Sequence, residues 1–246
     1  MVILSDEFED IAIETGDFMR MHLFRPAREG RFPALLFFSE IYQVTAPIRR
    51  IAAFLAGHGF LVGVPEVYHE YEQAGTVLPY NAEGTDRGNA LKFLKPVSAF
   101  DADARAGLDF LTSHPSSTGQ LGTIGKCLGG HLALRAALDP RVKAAACFYP
   151  TDVHSGTLGE GRSDDTFARL VELHAETLFI WGRQDPHIPF EGRERIRSRL
   201  EAVGACYEWL EFNAAHAFMR DEGPRYDPAL AVRALLASIA LFQRAL

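Results

Sequence analysis

Cysteine is scarce in this chain, and its scarcity excludes one class of protein. Only three cysteines, Cys127, Cys147 and Cys206, occur among 246 residues. So few thiols, and an odd number of them, do not make the disulfide framework that stabilises small secreted domains. We therefore predict a reducing compartment and a cytoplasmic protein.

Basic clusters and long apolar runs are missing as well. The net charge is −7, and no basic run exceeds a pair such as Arg49 and Arg50. Nucleic-acid-binding surfaces need clustered positive charge, so we expect no nucleic-acid partner. No uninterrupted apolar stretch approaches the roughly 18 residues that cross a bilayer, so we expect no membrane partner. The opening residues, MVILSDEFED, turn acidic after four apolar positions, which argues against a signal peptide.

The chain does contain two hydrophobic patterns that are typical of β-strands. A hairpin is predicted at 8–26, because two stretches alternate apolar and polar residues about a Gly-Asp turn. After it, short and nearly continuous apolar runs are typical of strands buried on both faces of a parallel sheet. These runs lie at 32–38, 60–67, 121–125, 142–149 and 177–182, with a last strand at 206–212.

Helical patterns separate the strands. They lie at 47–59, 100–114, 129–139, 165–174, 191–204 and 227–246. Strands that alternate with helices predict an α/β fold, here a mostly parallel, doubly wound sheet with helices on both faces. The length and the 48% hydrophobic content fit one such domain over residues 1–246.

Two stretches, 68–99 and 150–164, carry neither pattern. The first holds Pro, Gly, Asn and several aromatic residues, and the second is polar and rich in glycine. Long loops in a compact domain often form lids or pocket walls, and otherwise they are solvated surface excursions. Both interpretations are open for each stretch.

The sequence GTIGKCLGGH, at 122–131, is the clearest chemical motif. It predicts a strand, a tight turn at Cys127 and a helix, which is the form of a nucleophile elbow. Such a turn needs small residues two positions before and after the nucleophile, and Gly125 and Gly129 meet that need. The N-terminus of the following helix favours a thiolate at Cys127. A buried core thiol is the alternative interpretation.

A cysteine nucleophile needs a base, and the base needs a group that orients it. In α/β-hydrolases the chain order is nucleophile, acid, histidine. Asp185 follows an apolar strand within a Gln-Asp-Pro turn, and His216 follows the last strand. We therefore predict the triad Cys127, His216 and Asp185. The other histidines weighed are His131, His154 and His187, and Asp185 with His187 gives only a weak metal pattern.

These motifs resemble the dienelactone hydrolase family of α/β-hydrolases along nearly the whole chain. The similarity rests on GKCLGG, GRQDPHIP, AAHAF and FFSEIYQ, which begin at 125, 182, 214 and 37. The resemblance assigns Glu40 the role of a carboxylate that contacts the cysteine and helps to form the thiolate when substrate arrives. A solvent-facing glutamate at a strand end is the alternative. The oxyanion hole is expected to be the backbone N–H groups of Ile41 and Leu128.

The family's lactone substrates carry a carboxylate that two arginines hold. Arg220, four residues after His216, matches one of them. The other belongs just after the fourth strand, where this chain has VYHEYEQAGT and no arginine. We expect Arg220, Tyr42 and Tyr71 to contact substrate. Lys126 either points outward, which we favour, or partly replaces the missing charge.

The resemblance implies a hydrolase that cleaves a lactone or a small carboxylic ester through an acyl-thioester intermediate. It implies no metal and no organic cofactor, and we expect a monomer or homodimer. One alternative is a hydrolase of neutral esters or other activated electrophiles, in which Arg220 has a structural role. An alternative of another class is a small-molecule receptor that has kept the fold and lost turnover.

Overall fold

The computed structural model describes residues 2–14 and 16–246. Its strands are β1 (Ile3–Ala12), β2 (Phe18–Pro26), β3 (Phe32–Phe38), β4 (Leu61–Pro65), β5 (Ser117–Lys126), β6 (Val142–Phe148), β7 (Glu176–Gly182) and β8 (Tyr207–Phe212). Its α-helices are α1 (Ala46–Gly57), α2 (Ala82–Leu94), α3 (Val97–Ser113), α4 (Leu128–Ala136), α5 (Thr166–Arg169), α6 (Phe190–Val203) and α7 (Pro228–Ala245). Short 3₁₀ turns lie at Glu160–Arg162 and Leu170–Glu172.

All eight strands form one sheet, in the order β1-β2-β4-β3-β5-β6-β7-β8. The pairs β1–β2 and β2–β4 are antiparallel, and the remaining neighbours are parallel. Strand β3 is buried along almost its whole length, as its sequence FPALLFF requires. The mostly parallel α/β fold predicted from the sequence is confirmed.

The parallel strands end at one edge of the sheet, and this edge carries the candidate site. Glu40 follows β3, Cys127 follows β5, Asp185 follows β7 and His216 follows β8. Ligands bind at the carboxyl ends of the strands in open α/β sheets. Helix α4 begins at this edge and packs against β3, β5 and β6, so the elbow sits at the centre of the sheet.

Two local predictions differ from the structure, and part of a third cannot be compared with it. The stretch 68–99 holds the helix α2, whose two internal glycines weaken its helical pattern. The helix predicted over 165–174 is only the single turn α5 and the 3₁₀ turn after it. Thr15, which ends the first predicted strand of the hairpin, lies outside the described residues.

Helix α7 is the one helix in the described chain that is long and apolar enough to cross a membrane. Its mean hydropathy is 1.3 over 18 residues. It packs against β6 and β7 and buries Ala234, Ile239 and Phe242. A core helix of a globular domain has the same length and composition, so this helix is weak evidence for a membrane span.

Candidate active site

Cys127 occupies a sharply strained turn between β5 and α4. Its backbone has φ 58° and ψ −122°, a conformation that residues with a side chain rarely adopt. A Cβ at position 125 would lie 1.9 Å from the carbonyl oxygen of Gly129, and one at position 129 would lie 2.1 Å from that of Phe38. Positions 125 and 129 must therefore both be glycine, as the elbow motif predicts.

Asp185 and His216 lie together beside this turn. The Nδ1 of His216 donates a hydrogen bond of 2.6 Å to the Oδ2 of Asp185, and both side chains are buried. The Oδ1 of Asp185 accepts a 2.8 Å bond from the backbone N–H of His187, which holds the carboxylate in place. Because Nδ1 is occupied, the Nε2 of His216 is the nitrogen left to exchange a proton with Cys127, which borders the same cavity.

The electrostatics of His216 favour its protonated form. Burial alone lowers the pKa of an imidazole, but the charge on Cys127 and the hydrogen bond to Asp185 outweigh burial and raise the pKa of His216 to about 10. An imidazolium at this position stabilises a thiolate next to it. The geometry places an imidazole that a carboxylate orients beside the cysteine of the turn.

The other histidines have different partners. His131 is fully buried on α4, where its ring nitrogens bond the Thr151 carbonyl and the Thr166 hydroxyl. The ring of His187 packs edge-on against that of His216, with centroids 4.6 Å apart. Asp185 bonds the ring of His216 and the backbone N–H of His187.

One other group of side chains has the spacing of metal ligands among residues 2–14 and 16–246. It consists of His69, Glu70 and Asp103. The ammonium of Lys95 lies 2.6 Å from a carboxylate oxygen of each of the two acids. A lysine cation thus already neutralises this group, which is explained as a buried ion-pair network.

Glu40 is buried at the end of β3 and bonds to an arginine. Its Oε2 accepts a 3.0 Å hydrogen bond from the Nε of Arg220, and its Oε1 has no hydrogen-bond partner among the described residues. Burial opposes ionisation, but the charges of Lys126 and Arg220 outweigh it and lower the pKa of Glu40. The carboxylate is therefore ionised and paired with Arg220, whereas the resemblance implied a contact with the cysteine.

Lys126 corrects the outward orientation favoured from the sequence. Its side chain is 1% exposed, and its Nζ makes no hydrogen bond to any described residue. Lys126 follows Gly125, which pairs with Phe38 across β5 and β3, so it lies alongside the chain that leads to Glu40. Burial lowers the pKa of the Lys126 ammonium, and the charge of Glu40 opposes that shift.

The two predicted oxyanion donors are the backbone N–H groups that follow Glu40 and Cys127. Neither the N–H of Ile41 nor that of Leu128 donates to a backbone acceptor in the described chain. Ile41 lines the cavity above Cys127, and Leu128 opens helix α4. Free N–H groups on either side of a nucleophile are the arrangement that an oxyanion hole requires.

Helix α2 supports the turn that carries Ile41. A Cβ at Gly88 would lie 2.4 Å from the carbonyl oxygen of Ile41, so helix and turn are in direct backbone contact. The hydroxyl of Tyr42 bonds that of Thr85 at 2.8 Å, one turn earlier on the helix. The sequence contained one indication of this helix, the cap at Asn81, which accepts from the N–H of Gly84.

Gly88→Ala is expected to lower kcat by about 10²-fold or more, because the added Cβ must push the Ile41 turn away from the substrate carbonyl. KM is expected to change much less, since the displaced donor acts mainly in the transition state. Steady-state kinetics on an activated ester measure both constants.

Gly57→Ala is the matched control, because a Cβ at this helical glycine meets nothing within 4 Å. It is expected to keep wild-type kcat. A folded Gly88→Ala protein with unchanged kcat would show that the Ile41 turn does not bind the developing oxyanion.

A cavity of about 270 Å³ lies above Cys127. Predicted site residues in its lining are Cys127, His216, Ile41, Tyr42 and Arg220. His187, which the sequence analysis weighed and set aside, also lines it. Residues that the sequence did not single out complete it: Thr85, Asn89 and Lys92 of α2, with Thr151, Asp152 and Arg225.

Both irregular stretches therefore supply walls of this cavity. Tyr71 is absent from the lining and packs half-buried against the hydrophobic core, so the structure does not bring it to the site.

Three arginine and lysine side chains face the cavity, and two of them are paired. Arg220 bonds Glu40 and lies over the rings of Tyr42 and Tyr80, 4.9 and 4.4 Å from their centroids. Lys92 bonds Asp152 at 3.0 Å. Arg225 is exposed and has no hydrogen-bond or ion-pair partner in the part of the chain that the structure describes. It is therefore the cation that remains free to meet an anionic substrate.

Comparison with known proteins shows the family to which this chain belongs. Residues 19–246 match the model of the dienelactone hydrolase family. A Saccharomyces cerevisiae protein named "Putative carboxymethylenebutenolidase" is 40% identical over 240 residues, which cover 93% of this chain and 88% of the yeast protein. The carboxymethylenebutenolidase of Pseudomonas sp. strain P51 is 31% identical over 210 residues, which cover 84% of this chain and 82% of that enzyme.

Solved structures with the same fold are also similar to this chain. A dienelactone hydrolase-like promiscuous phosphotriesterase from metagenomic libraries superposes with a TM-score of 0.78 over 100% of this chain and 99% of its own. Its sequence identity is 18%, so the likeness concerns the fold alone.

Proposed function

We propose that this chain, which belongs to the dienelactone hydrolase family and is a hydrolase of the lactone and ester type, cleaves its substrate through Cys127, His216 and Asp185. The observation that carries the proposal is the 2.6 Å bond between His216 and Asp185, together with a strained cysteine that lines the same cavity as His216.

The first half of the reaction acylates Cys127. The thiolate attacks the substrate carbonyl carbon, and the new C–S bond gives a tetrahedral intermediate. The N–H groups of Ile41 and Leu128 stabilise its oxyanion. The imidazolium of His216 then gives its proton to the leaving alkoxide, and an acyl-thioester remains on Cys127. In a lactone, the alkoxide stays attached to the acyl group.

The second half releases the acid. The neutral His216 accepts a proton from water, whose oxygen attacks the thioester carbonyl. Collapse of the second tetrahedral intermediate expels the Cys127 thiolate next to the imidazolium, and the pair is restored. Asp185 keeps the His216 ring oriented throughout, because its two oxygens are fixed by His216 and by the N–H of His187.

The cavity supports a small substrate with an anionic group. Its volume of about 270 Å³ suits a compact lactone or short ester. The family's second arginine is missing, and Arg220 is engaged with Glu40. We assign the main attraction for a substrate carboxylate to Arg225, because its guanidinium is unpaired among the described residues and borders the same space.

Arg225→Gln is expected to lower kcat/KM about tenfold for a carboxylate-bearing lactone, because one charge-assisted hydrogen bond at an exposed position is lost. A neutral ester of similar size is expected to lose little. Arg220→Gln is expected to lower kcat/KM for both substrates, because it also removes the partner of Glu40. A panel of lactones and p-nitrophenyl esters, with and without a carboxylate, measures these ratios.

Arg28→Gln serves as the control, because Arg28 is an exposed arginine between β2 and β3 that does not border the cavity. Equal losses for charged and neutral substrates in Arg225→Gln would contradict the anionic preference and favour a hydrolase of neutral esters. A stoichiometric burst of product without turnover on every member of the panel would instead favour a receptor.

The compartment, oligomeric state and partners of the enzyme also belong to the proposal. We propose a single hydrolase domain that acts in the cytoplasm as a monomer or homodimer on a small-molecule substrate, with no cofactor, nucleic-acid partner or membrane partner.

A further inference from the structure

Arg220 contacts both chain neighbours of Ile41, the residue whose backbone N–H is a predicted oxyanion donor. Its Nε donates a 3.0 Å hydrogen bond to the Oε2 of Glu40, the residue before Ile41. Its guanidinium carbon lies over the ring of Tyr42, the residue after Ile41, at 4.9 Å from the ring centroid. One buried side chain therefore holds the segment 40–42 on either side of the N–H of Ile41.

Tyr80 confines the same guanidinium from a second direction. The guanidinium carbon of Arg220 is 4.4 Å from the centroid of the Tyr80 ring, closer than it is to Tyr42. The planes of the two rings cross at 73°, with centroids 4.7 Å apart, so Arg220 lies in the corner between two ring faces. The attraction of a cation to a ring face is stronger where water is excluded, as it is around this buried arginine.

The ring of Tyr80 is itself anchored to the chain that follows the segment 40–42. Its hydroxyl lies 2.7 Å from that of Thr45, and this threonine makes no side-chain bond to the start of α1, which it precedes. Two residues before Tyr80, the N–H of Leu78 donates a 3.1 Å bond to the carbonyl of Tyr42. The stretch that carries Tyr80 is thus fixed at two points, and its ring meets Arg220 at a set angle.

The phenol of Tyr80 remains neutral. Burial, and then the charge of Glu40, raise its pKa above the usual value. Tyr80 therefore attracts Arg220 through its ring face, and Glu40 is the carboxylate to which the guanidinium is hydrogen-bonded. The aromatic contact and the ion pair act on one guanidinium from different sides.

We propose that Tyr80 is a positioning residue that holds Arg220 against Glu40 and Tyr42, and through them fixes the backbone N–H of Ile41 for the substrate carbonyl. Tyr80 touches no reacting atom, so its contribution passes through Arg220. The effect on catalysis rests on the proposed function, in which the N–H of Ile41 stabilises the oxyanion.

Tyr80→Leu is expected to lower kcat about five- to tenfold for charged and neutral esters alike, because one cation–π contact is lost and the oxyanion donor becomes less fixed. KM is expected to change less, since that donor acts mainly in the transition state. Tyr80→Phe keeps the ring and is expected to keep kcat within about twofold. Tyr207→Leu is the matched control, because it removes a half-buried tyrosine bonded to Glu201, away from the cavity, and is expected to keep wild-type kcat.

A double-mutant cycle separates positioning through Arg220 from a general packing role. In an Arg220→Gln background, Tyr80→Leu is expected to lower kcat by less than about twofold, because the group that it positions is already absent. A tyrosine that only packs would cost the same factor in both backgrounds. Equal losses in the two backgrounds, equal losses in Tyr80→Phe and Tyr80→Leu, or no loss in a folded Tyr80→Leu protein would each overturn the proposal.

The Nε–H of Arg220 gives a measurement that does not depend on activity. Heteronuclear NMR identifies its resonance by its absence in Arg220→Gln, and the Nε–H of Arg225 is identified in the same way with Arg225→Gln. Exchange of the Arg220 proton with solvent is expected to be slow in the wild type and in Tyr80→Phe, and at least about tenfold faster in Tyr80→Leu.

The wild-type spectrum also tests the proposal without any variant at position 80. Exchange at Arg220 as fast as at the unpaired Arg225 would overturn it. Slow exchange that depends on the ring of Tyr80, in a protein with no lactone or ester turnover, would instead contradict the proposed function and support the positioning of Arg220.

Discussion

Cys127→Ala is expected to lower kcat for lactone or ester hydrolysis by at least about 10⁴-fold, because the atom that bonds the acyl group is removed. The oxyanion N–H groups and the cavity remain, so substrate binding is expected to survive. Intact-mass spectrometry of wild-type enzyme mixed with a slow ester is expected to detect the acyl group on Cys127 and nowhere else.

The other two thiols provide the controls. Cys147 is buried in β6, where loss of hydration raises its pKa, and Cys206 is exposed. Cys206→Ser is therefore expected to keep full activity while it removes the competing site of alkylation. Activity that survives in Cys127→Ala, or that is lost on labelling Cys206, would exclude the proposed nucleophile.

Asp185→Asn is expected to lower kcat by about 10⁴-fold with little change in the fold, the effect typical of replacing a triad carboxylate by an amide. The amide oxygen can take only one of the two bonds that Asp185 now accepts. If the amide oxygen keeps its bond to the N–H of His187, the amide NH₂ faces the Nδ1 of His216. The imidazole proton must then lie on Nε2, which can no longer accept the proton of the thiol. The charge that raises the pKa of His216 is lost as well.

The pH dependence of this variant has a definite sign. Asp185 helps to raise the pKa of His216 above its usual value, so its removal is expected to move the loss of the imidazolium to lower pH. The rate of alkylation of Cys127 is then expected to lose the contribution of a protonated His216 at neutral pH. Asp227→Asn is the matched control, because this half-buried carboxylate caps α7 through the N–H of Leu230 and asparagine caps equally well. A wild-type kcat in Asp185→Asn would remove Asp185 from the triad.

The parts of the site that the sequence predicted are those that local pattern determines. The elbow needs glycines at fixed offsets from Cys127, and the steric contacts of Gly125 and Gly129 explain why. Asp185 and His216 could be placed because a residue just after a buried parallel strand must lie at the carboxyl edge of the sheet. Such properties are readable along the chain without knowledge of its long-range contacts.

The parts that the sequence could not predict depend on contacts between distant segments. Glu40 and Arg220 pair across 180 positions, and nothing in either local sequence indicates it. The burial of Lys126 follows from an opposite charge on a neighbouring strand.

Helix α2 was missed for a related reason. Gly84 and Gly88 allow close contacts with the carbonyl groups of Pro79 and Ile41. Glycine is a poor helix former, so the same residues hide the helical pattern in the sequence. Tyr71 is an error of the opposite kind, because a residue was predicted at the site that is not there. Its position near the missing arginine suggested a contact with substrate, but its side chain packs against the hydrophobic core.

The strained backbone at Cys127 has a consequence for how this protein balances stability against activity. A residue held at φ 58° costs the folded state about 1–3 kcal/mol, a sizeable part of the 5–15 kcal/mol that usually stabilises a domain. Glycine adopts such a conformation without that cost. The fold would therefore tolerate heat better with no side chain at this position, so the proposed nucleophile is present at a cost in thermal stability.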